Sequence, residues 1–130
     1  MAHVLIVEDD PEVLGVVERV LERDGHTIQH AADGRRAHDL VYSADEDFDL
    51  LLVDLHLPLM TGAAFLNEVY PLIRWRTPAI VTSGVEYMIE ALGEMRHGAF
   101  GVIQKPFRID EMRDLVARAR DQREVFKRLQ

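Results

Sequence analysis

A chain of 130 residues, 48% of them hydrophobic, is long enough to enclose one core and too short for two ordinary domains. Its 15 basic and 23 acidic side chains leave a net charge of −8, which argues against a nucleic-acid surface, because phosphate contacts need a basic face. The lack of cysteine excludes thiolate metal sites, cysteine nucleophiles and disulfides, in keeping with a reducing cytosol; MAHVLIVEDD lacks the basic lead of a signal peptide, and no run approaches the roughly 18 apolar residues of a membrane span.

From the N-terminus, His3 to Val7 is a short, β-branched and nearly continuous apolar run, as expected of a strand covered on both faces. Asp10 and Pro11 suit the cap and first position of a helix, Val13, Val17, Val20 and Leu21 recur at helical spacing, and Gly25 stops it. Thr27 to Ala31 reads as a weaker strand, followed after Asp33-Gly34 by a second helix with Ala37, Leu40, Val41 and Ala44 on one face. Phe48 to Val53 is the most apolar run and predicts a buried third strand. A loop with Pro58 and Gly62 leads to a third helix over about 63–70, which Pro71 ends or bends.

Pro78 to Thr82 predicts a fourth strand, Glu86 to Arg96 a fourth helix closed by Gly98, and Phe100 to Gln104 a fifth strand. The last helix starts near Arg108, with Ile109, Met112, Leu115, Val116 and Ala119 facing inward. The stripe fails at Gln122 and Arg123 before Phe126 and Leu129 resume it, so the final turns are expected to leave the core. The expected division is one domain over 1–120 and an extension over 121–130 that could link to a further domain. Arg118, Arg120, Arg123, Lys127 and Arg128 read as a solvated helix face, interrupted by Asp121 and Glu124.

Five alternating β/α units with short connections predict a doubly wound parallel sheet, whose ligands bind at the carboxyl ends of the strands. Polar residues stand at that edge: Glu8, Asp9 and Asp10 after the first strand, Asp54 after the third, Ser83 after the fourth and Lys105 after the fifth. Converging carboxylates repel one another, so the cluster calls for a cation or a raised pKa, and an all-oxygen set selects a hard ion, Mg²⁺ or Mn²⁺. Asp54 is then the candidate nucleophile toward phosphorus, Ser83 a donor to a phosphoryl oxygen and Lys105 a point charge for another. Asp10, before Pro11, suits a cap better than a ligand. The six histidines show no zinc-type spacing and read as surface or edge residues.

The sequence resembles the response-regulator receiver family of two-component signalling over nearly its whole length. VLIVEDD resembles its first acidic motif, DLHLPLMTG its phosphoacceptor Asp with Pro58 and Gly62 beyond, IVTSG its fourth-strand end with the hydroxyl of Ser83, and IQKPF its Lys-Pro pair, Lys105 and Pro106. The resemblance implies a (βα)5 flavodoxin-like fold with strand order 2-1-3-4-5 and a phosphoacceptor at Asp54 that catalyses only its own phosphorylation and dephosphorylation. It also implies a metal held by Glu8, Asp9, Asp54 and the backbone carbonyl of His56, and an often cis Lys105–Pro106 bond. The implied partners are a histidine kinase or histidine phosphotransfer protein and a downstream target or covalently linked output domain. The implied setting is the cytoplasm, without nucleic-acid or membrane binding by this domain. A homodimer could form through the face made by the fourth helix, fifth strand and last helix, where Tyr87, Met88 and Arg96 lie.

One position departs from the pattern. Receivers commonly carry Tyr or Phe three residues before the Lys, and here it is Val102. Phe100 should point to the same side of the strand but nearer its start, and does not substitute. A haloacid-dehalogenase-like phosphatase would want Asp where His56 stands, a flavodoxin-like cofactor binder would want a Gly/Ser/Thr-rich phosphate loop after the first strand, and a phosphorylation-independent docking module would not need the intact set of Asp9, Asp54, Ser83 and Lys105.

Overall fold

The computed structural model describes residues 2–73 and 76–129. Met1 and Gln130, the outer limits of the expected domain and extension, lie outside these. Eleven elements follow in chain order: β1 (His3–Val7), α1 (Pro11–Arg23), β2 (Thr27–Ala31), α2 (Gly34–Ser43), β3 (Leu50–Asp54), α3 (Gly62–Ile73), β4 (Ala79–Ser83), a 3₁₀ turn (Val85–Tyr87), α4 (Met88–His97), β5 (Gly101–Gln104) and α5 (Ile109–Leu129). The strands form one parallel sheet in the order 2-1-3-4-5, as the resemblance implies.

Alternation along each strand sends successive side chains to opposite faces. Leu5, Val7, Leu51, Val53 and Val81 pack with Ala37 of α2, Phe65 and Val69 of α3 and Ala91 of α4 on one side. Val4, Ile6, Leu52, Ile80 and Ile103 pack with Val17 and Leu21 of α1 and Met112 and Val116 of α5 on the other. The central strand is buried at all five positions because both faces are covered, which explains its unbroken apolar run. Asp10 caps α1 by accepting from the Glu12 amide, and Asp33 caps α2 by accepting from Arg36. Gly25 at φ 91° and Gly98 at φ 130° turn the chain out of α1 and α4 in a conformation that other residues adopt at a cost.

Several expectations need correction. Pro71 does not end α3, which continues to Ile73. The fourth helix begins as a 3₁₀ turn and becomes α-helical only at Met88. Phe100 precedes β5 and packs toward α1 and α5, whereas Val102 packs on the opposite face, so the two do not share a side. His26 is not a surface residue: it is buried, and its Nδ1 accepts from the Ala2 amide at 3.2 Å. The final turns do leave the core, with Val125 and Leu129 exposed, but one turn later than the break in the apolar stripe suggests. Arg123 is buried, with its guanidinium 2.7 Å from Asp49, so the inward position is filled by an ion pair that hydrophobic periodicity cannot register. The Lys105–Pro106 bond is cis.

Candidate acidic site at the strand ends

The sheet's hydrogen-bond ladder continues one residue beyond the strands and holds the site in place. The Glu8 amide donates to Ala31, the Leu55 amide to Thr82 and the Lys105 amide to Ser83, at 2.7–3.0 Å. Glu8, Asp54 and Lys105 are thereby carried to the same edge by β1, β3 and β5. Asp54 is buried. Its Oδ1 accepts from the His56 amide at 3.1 Å and its Oδ2 from the Lys105 ammonium at 2.9 Å. Lys105 also reaches Glu8 Oε1 at 2.5 Å, so one ammonium bridges two carboxylates.

Burial raises the pKa of Glu8 to about 7, helped by the negative charge of Asp54 and opposed by the hydrogen bond from Lys105. Burial presses the Lys105 ammonium down, but its bonds to Glu8 and Asp54 outweigh this and hold it above its ordinary value. Glu8, Asp9 and Asp54 can each bring a carboxylate oxygen within 4.8 Å of the others, with Asp9 exposed at the mouth. A buried carboxylate that ionises only near neutrality beside two others is the electrostatic signature of a site suited to a hard divalent cation.

Ser83 is buried at the end of β4, one residue beyond Thr82, which lies opposite Asp54 in the register. Its hydroxyl donates to the Gly84 carbonyl at 3.0 Å, so it stands at the right edge but bonds to its neighbour. Asp10 turns away to cap α1, as its position before Pro11 suggests. Gly62 closes the loop after Asp54: its amide donates to Leu55, and a Cβ on it would fall 2.0 Å from the Asp54 carbonyl.

The surroundings of the His56 side chain are not legible in the sequence. Its ring lies 3.6 Å from that of Tyr87, centroid to centroid and tilted by 36°, and its Nε2 is 3.9 Å from Glu90 at the start of α4. Nothing in the spacing of residues 56, 87 and 90 signals this contact, which depends on how two loops meet.

The fold and the edge site define a doubly wound α/β domain with a lysine-bridged acidic pocket. The chain belongs to the response regulator receiver domain family, whose model matches residues 4–117, and is thus a receiver domain of the two-component response-regulator type. The transcriptional regulatory protein TcrA of Mycobacterium tuberculosis is 29% identical over 110 residues, covering 85% of this chain and 42% of that protein. The DNA-binding transcriptional regulator NtrC of Proteus hauseri is 32% identical over 123 residues, covering 90% of this chain and 24% of that protein. The chain therefore spans less than half the length of these curated relatives. A response regulator receiver domain protein from Clostridium thermocellum shares the fold, with a TM-score of 0.89 at 20% identity over 97% of this chain and 99% of that one. No helix among the described residues is long and apolar enough to cross a membrane.

Proposed function

We propose that this receiver domain accepts a phosphoryl group on Asp54 from the phosphohistidine of a histidine kinase or phosphotransfer protein. The observation that carries the reading is the Asp54 carboxylate, with one oxygen steadied by the His56 amide and the other by Lys105, beside Glu8 and Asp9. An Asp54 oxygen attacks phosphorus, the P–N bond breaks, and its electron pair leaves with the imidazole, which takes up a proton. The product is an acyl phosphate. Lys105, already between two anions, pairs with the charge that arrives, and Ser83 turns its hydroxyl from Gly84 to a phosphoryl oxygen.

Glu8, Asp9, Asp54 and the His56 carbonyl are the groups that would hold Mg²⁺ or Mn²⁺, which when bound neutralises charge on the phosphoryl oxygens. The fit rests on the all-carboxylate donor set and on the raised pKa of Glu8.

The added charge of about −1.5 to −2 changes which arrangement of the β4 and β5 loops is favoured, and with it the face of α4, β5 and α5. Ile89, Leu92 and Met95 are exposed there on α4 and suit a protein target or a second copy. Residues 1–120 act as the receiver, in the cytoplasm and without nucleic-acid or membrane contact of their own. Residues 121–130 lead toward an output domain, in line with the greater length of the curated relatives.

Incubation with acetyl phosphate followed by intact mass, with and without Mg²⁺, tests the reading on wild type and Asp54→Asn. A gain of one phosphate that needs both Asp54 and the metal is expected. No gain in folded, Mg²⁺-bound wild type would leave a docking module instead.

A further inference from the structure

We propose that Gly34, the first residue of α2, is a positioning residue for the phosphoacceptor site: lacking a side chain, it lets α2 abut the Met60 carbonyl and so fixes the 55–61 loop that carries the His56 amide and carbonyl. Gly34 is far from Asp54 in sequence and is not one of the acidic cluster's residues. Its part follows from what a Cβ there would meet. That atom would lie 2.0 Å from the Met60 carbonyl oxygen, 2.7 Å from the carbonyl carbon and 2.9 Å from Met60 Cβ. All belong to the backbone or its root, so no rotamer change relieves the overlap.

Neither side can yield easily. The start of α2 is fixed by its Asp33 cap and by the fully buried Ala37 one turn on. On the other side, Met60 packs against the core. Beyond it, Gly62 bonds to Leu55 and presses on the Asp54 carbonyl, so both ends of the loop are held. A displacement of roughly 1 Å at Met60 therefore passes into residues 56–59, where Leu59 already sits at φ 65°. His56 is in that stretch, and its amide orients Asp54 Oδ1. Misplacement of a reacting group by about 1 Å can cost up to about 100-fold.

The phosphorylation arm rests on the proposed phosphoacceptor reading and the Mg²⁺ arm on the proposed metal site, while the amide arm rests on neither. The variant is Gly34→Ala, and Gly15→Ala is its control, a glycine inside α1 whose Cβ would meet open space. In metal-free protein, Gly34→Ala is expected to shift the His56 amide resonance and speed its hydrogen exchange. Its Mg²⁺ affinity by calorimetry should fall about 10- to 100-fold, the usual cost of disturbing the groups that orient a metal's ligands, and phosphorylation by acetyl phosphate should need correspondingly more Mg²⁺ and recover in part at saturation. Gly15→Ala should match wild type in all three.

A folded Gly34→Ala with wild-type His56 exchange and Mg²⁺ affinity would overturn the proposal. If Gly34→Ala does not fold, Gly34→Ala/Leu59→Gly gives the loop room to step aside and is compared with Leu59→Gly alone. Weaker Mg²⁺ binding in the pair supports the role of Gly34, whereas equal binding, or a pair that also fails to fold, refutes it. Wild type that binds Mg²⁺ but takes no phosphate would refute the phosphoacceptor reading and leave the amide and Mg²⁺ arms to decide on Gly34.

Discussion

Arg123 Nε lies 2.7 Å from Asp49 Oδ1 and ties the last helix to the residue that leads into the central strand. The other oxygen of Asp49 accepts from the His3 amide at 2.8 Å, so a single carboxylate joins α5, β1 and β3 at the edge opposite the acidic site. Burial pushes the Asp49 carboxyl up, but the His3 amide and the Arg123 guanidinium outweigh it and hold it below the usual carboxylate range. Its contribution to stability is therefore present above the unfolded pKa and lost as pH falls through the folded one. Arg123→Met should cost about 2 kcal/mol in urea denaturation at pH 7 and lose that difference in acid. A chain cut after Arg120 should be destabilised at least as much, even though the family match ends at residue 117. A truncated chain as stable as the whole would show that Arg123 ties nothing down.

Glu8 leads to the opposite dependence on pH. Its folded pKa of about 7 lies above the unfolded value, so in metal-free protein its stabilising effect is complete below the unfolded pKa and is lost as pH rises through 7, by at most about 1.4 kcal/mol per pH unit. On the proposed metal reading Mg²⁺ takes the ionised form, and it should then reverse the trend, with affinity rising over the same range. Thermal melts at pH 6 and 8, with and without Mg²⁺, check this. Glu8→Gln should flatten both curves, and Lys105→Met should steepen the metal-free one, because the hydrogen bond that now lowers the Glu8 pKa is gone. A metal-free melting point that does not change from pH 6 to 8 would sink the assignment.

His26 behaves as a buried base. Burial, then the positive charge of Arg120, lowers its pKa, and its Nδ1 accepts the Ala2 amide only while unprotonated. A histidine with a depressed folded pKa contributes stability above the unfolded value near 6.5, and this is lost as pH falls below it. Wild type should therefore lose more stability than His26→Leu between pH 7.5 and pH 5.5, measured by urea midpoint. Equal slopes would mean that His26 stays neutral, or is free to charge, in both states.

The fold was legible because both of its signals are local in the chain: apolar runs of strand length and stripes of helical period, each punctuated by Asp10-Pro11, Gly25, Asp33-Gly34 or Gly98. The edge residues were legible for the same reason, since strand ends are easy to find and a parallel sheet collects them. Contacts between distant segments left no such trace. Arg123 reads as a break in an apolar stripe until Asp49 is seen beside it, and His26 as one more surface histidine until its Nδ1 meets the Ala2 amide. Phe100 and Val102 face opposite ways because β5 begins at Gly101, so the alternation of the strand does not reach back to Phe100. Gly34 announced a helix start, whereas its distinguishing feature is a close approach to Met60.

The His56–Tyr87 contact bears on how a change at Asp54 reaches α4. Val102 is too short to swing as an aromatic would, but His56 joins the two places directly: its amide holds Asp54 Oδ1 and its ring lies on Tyr87 with Glu90 beside it. Only a contact that differs between the two states can bias their equilibrium. An aromatic pair is worth about 0.5–1.5 kcal/mol, a roughly two- to tenfold bias. Tyr87→Ala should therefore leave beryllofluoride binding at Asp54 intact, read by fluorine NMR, while shrinking the accompanying amide shifts of Met88 to His97 by about half or more. Val102→Ala should reduce them little. If the α4 shifts survive in Tyr87→Ala, the coupling runs instead through Ser83 and Gly84, where on the proposed reading the hydroxyl turns from its neighbour's carbonyl to the phosphoryl group; Ser83→Ala, with Tyr87 intact, should then be the variant that silences α4.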